Sequence, residues 1–162
     1  MKIPKLWILV FLAITAIVIA IIFTQPEIQE DITDTLLEND ASPRVQNFEN
    51  MLLSGEDAIF VDDQKSGNNE VVVGLVVLSQ PGFVVVHKDD DGLPGEIIGS
   101  SIWLEGEVED FYVSVSESLE TDAIYYAVLY ADNGDQEFNA SVDKMTENES
   151  GAIVLMTFTA NE

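Results

Sequence analysis

Two short acidic turns hold the side chains best suited to chemistry. In "HKDDDGLPG" (87–95), Asp89, Asp90 and Asp91 follow the chain's single histidine, His87. In "DNGDQE" (132–137), Asp132, Asp135 and Glu137 crowd a second turn. Carboxylates converging on one point offer the hard oxygen ligands that calcium prefers. Like charges held together also need a cation or solvent to relieve them. Neither stretch is an EF-hand loop. With Gly92 at the sixth position, His87 would stand first and Ile98 last; with Asp132 first, Gly134 and Gln136 would occupy ligand places. Two readings stay open. If the turns are neighbours, the six acids could share one calcium ion. If not, they are solvated strand ends in an acid-rich chain, the reading this composition favours.

His87 cannot build a nitrogen-sulfur zinc site, because the chain has no cysteine. Disulfides and cysteine nucleophiles are excluded for the same reason. An extracellular hydrolase would have to pair His87 with Ser100 or Ser101, yet no G-x-S-x-G elbow is present. No P-loop, dinucleotide fingerprint or HExxH occurs either. A strand-end histidine bonded across to a loop is the simpler reading, and no enzyme is expected. "NAS" and "NES" place Asn139 and Asn148 in N-glycosylation sequons.

Charge narrows the setting. All 30 acidic residues come after position 26, where only Arg44, Lys65, Lys88 and Lys144 oppose them, so that part carries 4 − 30 = −26 formal charges. Such a surface repels nucleic acid and anionic headgroups and suits concentrated salt, which screens its self-repulsion.

The elements that would position these residues begin with "LWILVFLAITAIVIAIIF". Leu6–Phe23 is free of charge and, as a helix, covers about 27 Å, close to a bilayer's hydrocarbon core. Lys2 and Lys5 precede it and acids follow, which directs residues 1–5 to the cytoplasm and the remainder outside. An uncleaved single-pass signal anchor in the cell membrane is preferred to a cleaved signal peptide, since no small-x-small site follows. A pilin-type helix ranks lower. Residues 24–55 read as an acidic tether that ends in a short amphipathic helix, 43–54. Ser42 is the expected N-cap, Pro43 the first helical residue and Gly55 the C-terminal cap, with Val45, Phe48, Met51 and Leu52 on one face.

From residue 56 to 162 the period changes. Strands are expected at 58–63, 70–78, 82–88, 96–104, 109–117, 122–131 and 151–160, rich in Val, Ile, Phe and Tyr and parted by "QKSGNN", "QPG", "DDDGLPG" and "DNGD". About seven short strands without a strong helix predict an all-β fold, an antiparallel immunoglobulin-like β-sandwich. Trp103 and Phe158 are expected core fillers. Gly74 marks a bulge or a close backbone approach.

The stretch "IFVDDQKSGNNEVVVGLVVLSQPGFVVVHKDDDGLPGEIIGSS", with the later "LYADNGDQEFN", resembles a β-sandwich domain family of haloarchaeal cell-surface and secreted proteins. Its pattern is met at Asp62, Asp63, Gln64, Gly82, Phe83, Val84, Val85, His87, Gly99, Ser101, Asn133, Gly134 and Asp135. Gly74 departs from it, standing where an aspartate is common. The likeness covers about residues 58–160 and implies a sandwich in a surface setting, without implying an activity. The expected protein is therefore a membrane-anchored, extracellular acidic domain in envelope structure, adhesion or contact with surface proteins or glycans. A calcium-dependent binding module is the alternative. No cofactor other than that calcium is expected, and no nucleic-acid partner.

Overall fold

Strand β3, Glu70–Asp90, organises the domain. The computed structural model describes residues 42–55 and 57–162. The Leu6–Phe23 anchor and most of the tether lie outside the described residues; among those described, no helix is long and apolar enough to cross a membrane.

Helix α1, Pro43–Ser54, begins as expected: the Ser42 hydroxyl accepts a hydrogen bond from the Val45 N–H, and Pro43 fills the first turn. Its end differs from expectation. Gly55 is extended, with φ 177°, so no left-handed cap is used. Met51 is buried and Phe48 meets Phe60 edge-on with ring centroids 6.0 Å apart, whereas Leu52 is 42 % exposed. The docked stripe is therefore narrower than the sequence pattern.

The strands are β1 (Ala58–Phe60), β2 (Gln64–Lys65), β3, β4 (Leu93–Ser100), β5 (Leu104–Ser114), β6 (Ile124–Ala131), β7 (Lys144–Met145) and β8 (Leu155–Asn161). Hydrogen bonds join all eight into one sheet, and only the β2–β8 pair is parallel. The fold is all-β apart from α1. The two strands expected at 70–78 and 82–88 are one: "QPG" does not turn but carries a register irregularity, after which β3 changes partners. Its first half lies between β1 and β5; its second half lies between β4 and β6. The strand expected at 96–104 ends at Ser100, and Leu104 already opens β5.

The long β-branched runs explain this frame. Val71, Val73 and Val76 from the first half of β3 join Val84 and Val86 from the second in one buried cluster, with Tyr125, Ala127 and Leu129 of β6 and Phe158 of β8. Alternate residues Phe83 and Val85 face the other way, with Tyr126, Val128 and Tyr130, into a second cluster. Period two thus puts both faces of the second half of β3 and of β6 out of water, which is why these stretches lack the polar alternation of β5. Half-buried Trp103 and Phe138 cover the second cluster; Phe138 meets Phe83 and Tyr130 at 5.5 and 5.4 Å between centroids.

Candidate functional site

The first acidic turn is the tip of the β3–β4 hairpin. Asp90 pairs with Leu93, and the two residues between them, Asp91 and Gly92, have φ of 52° and 86°. Positive φ at both central positions is the type I′ turn that suits strand twist and selects Asp-Gly. Asp89 accepts hydrogen bonds from the Gly92 N–H (3.1 Å) and the Tyr126 hydroxyl (2.7 Å). That carboxylate, together with burial, pushes the Tyr126 hydroxyl pKa up to about 12. Asp90 and Asp91 point to solvent.

The second turn lies at the other end of the same strands. Gly82 is level with Ala131 and Lys88 with Tyr125, so β6 runs back towards the start of the second half of β3. The eight steps from Gly82 to Asp90 span about 26 Å at about 3.3 Å each. The structure therefore does not bring Asp89, Asp90 and Asp91 together with Asp132, Asp135 and Glu137. Among the described residues no group of three or more His, Asp or Glu is placed to hold a metal ion.

The 132–143 loop is instead tied by its own carboxylates. Asp132 accepts from Trp103 Nε1 (3.0 Å) and from the Gln136 N–H (3.2 Å). Burial would raise its pKa, but N–H donors from Gly134, Gln136, Trp103 and Asp135 outweigh it and hold the carboxyl below its usual value. Asp135 accepts from the Glu137 N–H, 3.0 Å. Asp143, which the sequence reading passed over, is only 4 % exposed and accepts from the N–H groups of Asn133 (3.1 Å) and Asn139 (2.7 Å). Its signal was faint: one more acid in a loop of acids.

His87 is buried at 2 % exposure. Its Nδ1 lies 2.8 Å from the Gly95 carbonyl oxygen, which can only accept, so that nitrogen carries the proton. Nε2 then accepts from the Tyr130 hydroxyl at 3.3 Å, and the two rings stack. Burial lowers the imidazole pKa, with the Gly95 bond opposing it. Ser101 is engaged elsewhere: its Oγ accepts from the Val84 N–H (3.0 Å) and donates to the Ile102 carbonyl (2.7 Å). Among the described residues His87 makes no hydrogen bond to a serine.

"DDQ" is a fastening of the same kind. β1 leaves the β3 edge at Phe60, opposite Leu75. Gln64 then returns to that edge and is 8 % exposed. Its amide donates to the carbonyls of Asp62 (2.8 Å) and Val72 (3.2 Å) and accepts from the Val72 N–H (2.9 Å), replacing one residue of a missing strand. Asp63 accepts from the Thr159 N–H (2.8 Å) and pairs with Arg44. Arg44 also donates to the Val61 (3.1 Å) and Thr157 (2.7 Å) carbonyls, binding α1 to the sheet. A lone cation amid tether acids was the clue to that role.

Glycines in the motif mark close approaches. A side-chain carbon at Gly82 would lie 2.0 Å from the Tyr130 carbonyl oxygen, and one at Gly99 would lie 2.3 Å from that of Ser114. Gly74 makes room for the Phe60 ring, and its pairing with β5 stays in register, so neither the bulge nor the close backbone approach expected there is present. On the outer face, an open groove of about 480 Å³ is lined by Asn68, Asn69, Glu70, Val72, Tyr112 and Ser114, among others. Tyr112 is 64 % exposed there.

Residues 57–161 match the family described as a domain of unknown function, DUF7282. The chain belongs to that family. The chain is 30 % identical over 98 residues to cell surface glycoprotein 2 of Haloarcula hispanica, and 31 % identical over 98 residues to cell surface glycoprotein 1 of the same organism. Each match covers 59 % of this chain and 10 % of the relative, so the chain spans about a tenth of the length of those proteins. No solved structure matches the DUF7282 domain.

Proposed function

We propose that this chain is a single-pass, outward-facing surface protein whose acidic DUF7282 domain is a non-catalytic structural and interaction module. The observation that carries this reading is the kinship, over 98 residues, with two cell surface glycoproteins. The uses of the motif side chains support it: Gln64, His87, Ser101, Asp132 and Asp143 spend their hydrogen-bonding capacity inside the domain. Such groups hold a shape and leave little for reaction chemistry. We read that shape as an immunoglobulin-like sandwich, because both halves of β3 feed one buried cluster while pairing with different strands. Leu6–Phe23 would hold the protein in the membrane, and the acidic surface would keep it hydrated in brine. Contact with surface glycans is assigned to the Tyr112 groove, where an exposed ring and flanking amides suit stacking on, and hydrogen bonding to, a sugar.

Labelling intact cells with a membrane-impermeant amine reagent tests this reading. Lys65 and Lys144 are exposed and should be modified, while Lys2 and Lys5 should react only after lysis. Labelling of Lys2 and Lys5 alone on intact cells would reverse the topology and refute the proposal.

A further inference from the structure

The two sequons are chemically alike in sequence but sit in different surroundings. Asn139 lies in the exposed 132–143 loop between β6 and β7. Its backbone is fixed from below: the N–H donates to buried Asp143, and the carbonyl accepts from the N–H groups of Val142 (3.0 Å) and Asp143 (2.9 Å). Its Oδ1 accepts from the Ser141 N–H at 3.0 Å. Oδ1 is thereby turned onto the following backbone, and Nδ2 makes no hydrogen bond among the described residues. The Ser141 hydroxyl is likewise unengaged among them. An acceptor amide and the hydroxyl that defines its sequon are thus both presented to solvent on a rigid turn.

Asn148 is more enclosed, although its Nδ2 likewise makes no hydrogen bond among the described residues. Its Oδ1 accepts from the Ser150 N–H (3.0 Å), the Ser150 hydroxyl (2.7 Å) and the Ala152 N–H (3.0 Å). Its own N–H donates to the Ala152 carbonyl at 2.8 Å. It is half-buried and lines a cleft with Gly55, Asp57 and Ser79, beside the end of α1, and a side-chain carbon added at Gly55 would lie 3.6 Å from its Cβ. The hydroxyl of this sequon is already committed, and its asparagine is half-buried in the cleft beside the helix end.

We propose that Asn139, and not Asn148, is the residue of this chain that carries an N-linked glycan. The inference rests on the outward-facing reading above. In the transfer, Asn139 Nδ2 attacks the anomeric carbon of an oligosaccharide carried on a lipid phosphate. The N–C bond forms, the C–O bond to phosphate breaks, the lipid phosphate leaves, and the amide proton passes to the transferase's base.

The test uses the full chain produced in Haloarcula hispanica, which makes the related surface glycoproteins. Trypsin cuts after Lys144 and so separates the two sequons onto different peptides, whose masses locate the glycan in the wild type. The expected result is a glycan on the Asn139 peptide alone. Ser141→Ala should remove the whole glycan mass while preserving every hydrogen bond that Asn139 makes, and Ser150→Ala should leave that mass unchanged. A glycan on the Asn148 peptide, alone or together with the other, overturns the proposal. So does an unmodified chain whose Lys65 and Lys144 react with the impermeant reagent on intact cells. An unmodified chain whose Lys65 and Lys144 stay silent there overturns the outward-facing reading and this inference with it.

Discussion

Replacing Gln64 tests whether the "DDQ" motif is a fastening. The side chain is 8 % exposed and makes three hydrogen bonds, two to Val72 and one to the Asp62 carbonyl. A buried protein hydrogen bond contributes about 1 kcal/mol net, and stranding its partner costs more. Gln64→Ala removes all three and uncovers the N–H and C=O of Val72 at the β3 edge. The expected loss is about 2–4 kcal/mol, or on the order of 10 °C in melting temperature for a domain of this size. Gln64→Glu sharpens the test. Its carboxylate would still accept from the Val72 N–H but would set lone pairs against two carbonyl oxygens, so at pH 8 it should lose at least as much as alanine. Because folding would then favour the protonated acid, its folded pKa would rise above the unfolded value, and the deficit relative to wild type should shrink as the pH falls towards 5. Urea unfolding of the full chain in detergent and molar KCl, read from Trp103 fluorescence in a Trp7→Phe background, gives both numbers. A Gln64→Ala protein within about 0.5 kcal/mol of wild type, with Gln64→Glu indifferent to pH, would refute the reasoning.

Gly82→Ala should cost more than about 3 kcal/mol or abolish folding, because the clash is with backbone at 2.0 Å that cannot rotate away; circular dichroism in the strand region reads this directly. Buried His87 has a lowered pKa in the folded protein, so the unfolded chain takes up its proton first as pH falls. Its stabilising contribution is therefore full above the unfolded value of about 6.5 and is lost as pH drops through the folded value, with a slope of at most about 1.4 kcal/mol per pH unit. Melting curves from pH 7.5 to 5.5 should show that loss in wild type and a flatter profile in His87→Gln; equal slopes would contradict it. Raising KCl from about 0.1 to 1 M shortens the screening length from about 10 to 3 Å and should raise the melting temperature of so acidic a chain, where a flat response would show that self-repulsion is not limiting. Tyr112→Ala should abolish retention on immobilised surface glycans without changing the melting temperature, since the ring is mostly outside the packed interior.

Much of the fold was legible because hydrophobic period is a local property. The strand runs and the Ser42–Pro43 helix start could each be read from a few adjacent residues, as each depends on backbone preference and on alternation over a short window. The strand break expected at "QPG" has the same local origin. Proline and glycine together usually signal a turn, but here Gly82 is needed so that β3 can pass against the Tyr130 carbonyl and continue into a second set of partners. Nothing local to residues 79–82 says that β6 will lie there.

The six candidate metal ligands show the same division. Their type and their places at strand ends were evident in the chain, but the distance between the two turns depended on which way β6 runs along β3, a pairing made across some forty residues of sequence. Gln64, Arg44 and Asp143 found their partners only when distant segments closed around them, since hydrogen bonds between side chain and remote backbone have no period to read. Composition alone established an acid-rich chain free of cysteine, with an apolar N-terminal run and a β-patterned remainder, because charge and apolarity add along a sequence without reference to its path. Which carboxylates stand in water and which tie a loop was settled by packing, since accessibility belongs to the folded surface and not to any residue in isolation.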